Sequence, residues 1–142
     1  MREILFRGKR KDNGEWVEGS LLQTTAVSLK SFIIESSCYT FDKWDWNKCV
    51  QVDTDTICQY TGLTDKNGDK IWENDVVRRY ADTDDLGNDL YFFYKVIWHE
   101  RYHCWWLSDI HTLEDEYLHQ YNSSDIEVIG NVFDNTDLLK GV

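Results

Sequence analysis

Lys11-Asp12-Asn13-Gly14-Glu15-Trp16 and Asp65-Lys66-Asn67-Gly68-Asp69-Lys70-Ile71-Trp72 place the same turn signal twice in a chain of 142 residues. Asn-Gly is the strongest short-range hairpin signal, because a type I′ turn needs positive φ at both central residues and these two types adopt it at least steric cost. The segments continue alike, Glu18-Gly19-Ser20-Leu21-Leu22 against Glu73-Asn74-Asp75-Val76-Val77, with one residue inserted in the second. The repetition predicts two small β units, which we divide into residues 1–60 and 61–142. It describes an architecture and specifies no reaction.

Before the first turn Ile4 and Phe6 stand at alternate positions between the charged Glu3 and Arg7, and residues 16–22 return with period-two character, as a half-buried strand requires. Further extended segments are expected at 31–35 and 56–60. Residues 39–49 hold Phe41, Trp44 and Trp46 among Asp, Lys and Asn without a clean period, and read as a loop. After the second turn, 75–80 reads as a strand. Asp82, Asp84, Asp85 and Asp89 then surround Gly87 and Asn88, the composition of an exposed, mobile loop. Residues 90–98 are apolar on nearly both faces, as in a central strand. Residues 104–107 pair with it, 112–121 suit one or two helical turns with acids early in the segment, and 126–133 close the sheet. Val76, Val96 and Val132 are its core candidates.

Seven Trp, eight Tyr and six Phe are bulky residues with polar rims, suited to packed sheets with a partly wet outer face. The reading is mostly β. Against 15 basic residues stand 26 acidic ones, a net charge of −11, which opposes approach to a phosphate backbone or an anionic membrane. The basic run Arg7-Gly8-Lys9-Arg10-Lys11 leads into the first turn and reads as a solvated strand end. Cys38, Cys49, Cys58 and Cys104 lack the spacing of a disulfide framework. The charged start Met1-Arg2-Glu3 predicts no secretory leader, and no apolar run approaches the roughly 18–20 residues that span a bilayer. A cytoplasmic location is expected.

Four motifs in order, Met1-Arg2-Glu3-Ile4-Leu5-Phe6-Arg7-Gly8-Lys9-Arg10, Gln59-Tyr60-Thr61-Gly62-Leu63-Thr64-Asp65-Lys66-Asn67-Gly68, Ile71-Trp72-Glu73-Asn74-Asp75-Val76-Val77 and Val128-Ile129-Gly130-Asn131-Val132-Phe133-Asp134-Asn135 with Leu138-Leu139, resemble the YopX family of small proteins encoded by phages and prophages of Gram-positive bacteria. The family typically has Gly inside the Glu-x-Asp step, where this chain has Asn74. It also has a Pro and a Gly before the Gln-Tyr-Thr-Gly motif, where this chain has Thr54 and Cys58. Asn tolerates a left-handed backbone, so the first change is mild. The resemblance implies an SH3-like barrel in the C-terminal part, after the N-terminal hairpin unit, and no established biochemical activity.

His99, His103 and Cys104 are the best metal candidates, with His111 or His119 as further ligands, but their spacing around a turn fixes no common direction and paired cysteines are absent. No nucleophile elbow, phosphate loop or dinucleotide fingerprint appears. No catalytic, cofactor-binding or metal-binding residue is therefore assigned, and no cofactor. Trp105 and Trp106 are expected to pack. Trp44 and Trp46, in irregular surroundings, are the candidate partner-binding residues, since Trp is enriched at interface hot spots. The functional expectation is a non-enzymatic protein acting through protein–protein contacts. Residues 90–98 need cover on both faces, so a homo-oligomer with aromatic side chains at its interface is also expected. Two alternatives are an acidic DNA mimic, acting as decoy of a nucleic-acid-binding protein, and an enzyme with an unrecognised site.

Overall fold

The structure, a computed structural model, describes residues 2–25, 27–36, 45–112 and 114–140. The chain forms two units, Met1–Tyr60 and Thr61–Val142. Among the described residues all regular structure is strand or short 3-10 turn, so the mostly-β expectation holds.

In the first unit β1 (Phe6–Lys9) pairs antiparallel with β2 (Trp16–Thr24), β2 with β3 (Lys30–Ile34), and β3 with β4 (Cys49–Val52). On its other side β1 pairs with the start of β5 (Cys58–Thr64). Strand β2 changes partner midway: Trp16–Gly19 face β1, and Ser20–Thr24 face β3. Gly19 makes this possible, because a Cβ there would fall 2.1 Å from the Ile34 carbonyl oxygen. Val17, Ile33, Val50 and Val52 form the core, with Phe6, Leu21 and Ile57 packed against it.

The second unit contains the end of β5, its neighbour β6 (Lys70–Trp72), and a five-stranded antiparallel sheet in the order β10-β9-β8-β7-β11. These five are β7 (Asp75–Thr83), β8 (Asp89–His99), β9 (Cys104–Asp109), β10 (Asp115–Tyr117) and β11 (Ile126–Asn131). The pairing registers align Val128–Val77–Tyr94 and Val96–Leu107 on one face. That face carries the core of Ile71, Val77, Tyr94, Val96, Leu107, Leu118 and Ile126, flanked by Trp105, Tyr121 and Val128. Val76 and Val96 are fully buried as expected, whereas Val132 lies past the end of β11 and is half-buried. The sheet ends at β10 and β11, which are not paired with each other, so among the described residues strand pairing closes no barrel.

Three local readings need correction. The turns are not type I′, since only the glycines take positive φ, Gly14 at 73° and Gly68 at 81°, while Asn13 and Asn67 do not. In the second turn the Asp65 N–H donates to Asp69 O at 2.8 Å and the Gly68 N–H to Asp65 O at 3.1 Å, a three-residue loop ending in a left-handed glycine. The cause is the Asp65 side chain, whose Oδ1 accepts the N–H groups of Asn67 and Asp69, each at 2.9 Å. The loop read over 82–89 is shorter, since Asp82, Thr83 and Asp89 are strand and 84–88 form the hairpin turn between them. Asp84 there repeats the device, with Oδ1 accepting from Leu86 and Asn88 and Gly87 at φ 84°. The segment 112–121 holds β10 and a single 3-10 turn, Leu118–Gln120, because Leu118 is drawn into the core. Asn74, by contrast, takes φ 67°, the left-handed backbone its chemistry allows.

Asp65 is 2% exposed, and its Oδ2 accepts the Val128 N–H of β11 at 2.9 Å. Replacing Asp65 by Ala orphans three backbone donors and should destabilise the protein by about 2–4 kcal/mol. Gly68→Val, which forces a β-branched residue to positive φ, should cost about 1–2 kcal/mol. Chemical denaturation of both variants tests this, and unchanged midpoints would refute the assigned turn geometry.

Candidate functional site

Period two puts Arg79 on the same face as Val77, at the margin of the second core, and its register partners there are Phe92 and Ile126. A guanidinium at that position must find acceptors or aromatic faces. Arg79 Nη2 donates to the Tyr94 hydroxyl at 3.1 Å, and the Tyr94 hydroxyl donates to Glu116 Oε2 at 3.2 Å. The Tyr121 hydroxyl donates to the same carboxylate oxygen. The guanidinium lies over the rings of Phe92 and Tyr121, 4.8 and 4.6 Å from their centroids. Its Nε is buried and has no hydrogen-bond partner among the described residues.

On the opposite face Arg78 Nε donates to Glu127 Oε2 at 2.7 Å, and its guanidinium stacks 4.3 Å from the Tyr91 centroid. Lys66 Nζ approaches the same Glu127 oxygen at 3.5 Å. The Arg78 hydrogen bond holds the Glu127 carboxyl below the usual carboxylate range. Arg78, Arg79 and Lys66, with Tyr80, Tyr91, Tyr121, Ser124, Asp125 and Glu127, line an open cleft of about 540 Å³. Three of the chain's 15 basic residues therefore share one concavity of a protein with net charge −11.

The cleft marks where β11 stops. Strand β11 pairs with β7 only as far as Arg79↔Ile126, and β9 with β8 only as far as Tyr94↔Asp109. The hairpin formed by β7 and β8 continues beyond both neighbours to Thr83↔Asp89 as a two-stranded arm. Tyr80, Leu86, Leu90 and Phe92 on it are 50%, 87%, 47% and 43% exposed. A bulge interrupts its pairing between Tyr80 and Asp82.

Burial and then the Glu116 hydrogen bond push the Tyr121 phenol up to about 12. Burial is also the main cause that raises Tyr94. Phenols so shifted stay protonated at neutral pH and act as donors, whereas general acid–base work favours a pKa near the working pH. Of the two phenols only Tyr121 lines the cleft, where its ring stands beside the Arg79 guanidinium.

Arg78 and Arg79 stand on an interior strand, since β7 lies between β8 and β11. The basic run before the first turn is only partly solvated: Arg7 lies 4.3 Å over Trp16, and Arg10 pairs with Asp12 at 2.8 Å. Among the described residues no group of three His, Cys, Asp or Glu side chains converges as a metal site would require. His99 stacks on Trp106 at 4.1 Å, the Trp106 indole N–H donates to Cys104 Sγ at 3.0 Å, His111 meets Phe93, and His119 meets Tyr117. Trp105 packs on the second core. Trp46 is 75% exposed in a 3-10 turn, and Trp44 lies outside the described residues. No helix among the described residues is long and apolar enough to cross a membrane.

A family model described as YopX protein matches residues 5–140. The chain belongs to the YopX family. The crystal structure of protein EF1440 from Enterococcus faecalis resembles this YopX-family chain with a TM-score of 0.57 at 19% identity, covering 99% of this chain and 100% of the other. No curated protein matches it. These likenesses give family and fold, and the cleft and arm carry the functional argument for this YopX chain.

Because Tyr121 retains its proton to about 12 while an unfolded tyrosine loses it near 10, stability should fall between these pH values as the unfolded state sheds the proton first. Spectrophotometric titration at 295 nm should show a late tyrosinate step that Tyr121→Phe removes. A wild-type profile in which all tyrosines ionise together would contradict the network.

Proposed function

We propose that this YopX-family protein acts without catalysis, through contacts with protein, in the cytoplasm of a bacterium carrying the phage or prophage that encodes it. The observation that carries this reading is the β7–β8 arm, which runs past both neighbouring strands and holds four large apolar side chains in water. Exposed apolar surface grouped on one element, beside a polar cleft, is the signature of an interaction site. Trp46, 75% exposed, is a second contact point on the first unit, and self-association belongs to the same reading.

The acidic-decoy alternative needs carboxylates arrayed like phosphates, roughly one charge per 1.7 Å of duplex axis. Asp84 instead caps the arm turn, Glu116 accepts from two tyrosines, and Glu127 pairs with Arg78. Five antiparallel strands, a bulge in β11 between Val128 and Gly130, and a single covered core face support an SH3-like relationship for the second unit.

A photo-crosslinking residue introduced at Leu86 or Tyr80, and at Trp46, tests the reading in the cell. Polypeptide adducts should form at the arm in high yield and at exposed control positions such as Lys140 in low yield. Absence of any protein adduct at arm positions would overturn it.

A further inference from the structure

The arm's tip and its root differ in the sign of their excess charge. Four carboxylates, Asp82, Asp84, Asp85 and Asp89, crowd the tip around Leu86, which is 87% exposed. At the root lies the cleft with Lys66, Arg78 and Arg79 set among three tyrosines. The tip is a leucine flanked by aspartates, and the cleft is a tyrosine surface on which three cations outnumber two carboxylates, Asp125 and Glu127, the latter paired with Arg78 and Lys66. The arm cannot fold back onto its own root, because the Thr83↔Asp89 pairing keeps both strands extended for about 13 Å past Arg79, at roughly 3.3 Å per residue. The only such cleft within the tip's reach is therefore that of another molecule.

We infer that the occupant of the cleft is the arm tip of a second copy of this chain, in a two-fold dimer whose arms lie side by side and antiparallel along their β7 edges. This rests on the protein-contact reading above and names its partner. The distance from tip to root is the same in both copies, so a single two-fold axis satisfies both contacts at once, and the interface is isologous and closed. Leu86 enters between Tyr80 and Tyr121 of the other copy, and Asp85 and Asp89 reach Lys66 and Arg78. Pairing about one two-fold axis uses both β7 edges and both clefts, so assembly stops at two.

Light scattering across a concentration series tests the proposal with paired reversals. The wild type should give about twice the 16.9 kDa chain mass. Asp85→Lys with Asp89→Lys reverses the tip and spares Asp84, which holds the turn. Lys66→Glu with Ser124→Glu reverses the root at exposed positions. Each variant alone should have the mass of one chain, and an equimolar mixture should return to twice that mass, because each variant's tip then meets a root of opposite sign. Recovery in the mixture also shows that both variants are folded. A wild type with the mass of one chain at every concentration, variants that stay dimeric, or a mixture that does not recover would each overturn the proposal. Arm adducts to a different polypeptide combined with a monomeric wild type would refute the dimer and leave the protein-contact reading standing.

Discussion

The Asp65 carboxylate accepts three backbone N–H groups, those of Asn67 and Asp69 on one oxygen and that of Val128 on the other. It is almost wholly buried, where an unshared charge would be very costly and a charge receiving three donors is stabilised by hydrogen bonds stronger than neutral ones. One side chain thus closes the second hairpin turn and fastens it to β11. The Lys66 N–H reinforces the joint by donating to Ile126 O at 2.9 Å. Strand β11 is the edge of its sheet, and Asp65 pins its register from outside the ladder.

The cleft follows from this joint. With Val128 opposite Val77, Glu127 stands opposite Arg78 and Ile126 opposite Arg79. Lys66, carried by the same turn as Asp65, arrives 3.5 Å from Glu127. The strand begins only at Ile126, so among the described residues β7 beyond Arg79 has no strand partner on that side. Aspartate-capped turns recur where the unit's chain reverses. Asp84 closes the arm, and Asp109 Oδ1 accepts from His111 and Thr112 after β9. In Asp109 these donors outweigh burial and lower the carboxyl's pKa, so turn geometry and the ionised side chain support each other.

Strands and order were legible in the sequence because period two and turn residues are local signals, and 75–80, 90–98, 104–107 and, of 126–133, residues 126–131 joined one sheet. Turn type was not legible. Asn-Gly alone favours type I′, but an aspartate two residues earlier competes for the same N–H groups and wins in the second turn. The acidic run at 82–89 has the composition of a loop, yet its Asp-x-x-Gly spacing matches that of Asp65 and Gly68. Residues 112–121 carried helix-favouring acids, but burial of Leu118 governs that segment. The cleft depends on pairs distant in sequence, Arg79 with Glu116 and Arg78 with Glu127, which no single window contains. One signal was available, since Arg79 falls in phase with Val77 and so had to point toward the core.

Turn, edge strand and cleft thus form one cooperative element held by Asp65. Native-state amide hydrogen exchange at Asn67, Asp69 and Val128 tests it most directly, because all three protons end on one carboxylate. The account predicts that they exchange through a common opening with the same free energy and the same denaturant dependence. Exchange of Asn67 and Asp69 at the rate of an open loop, with Val128 still protected, would contradict it.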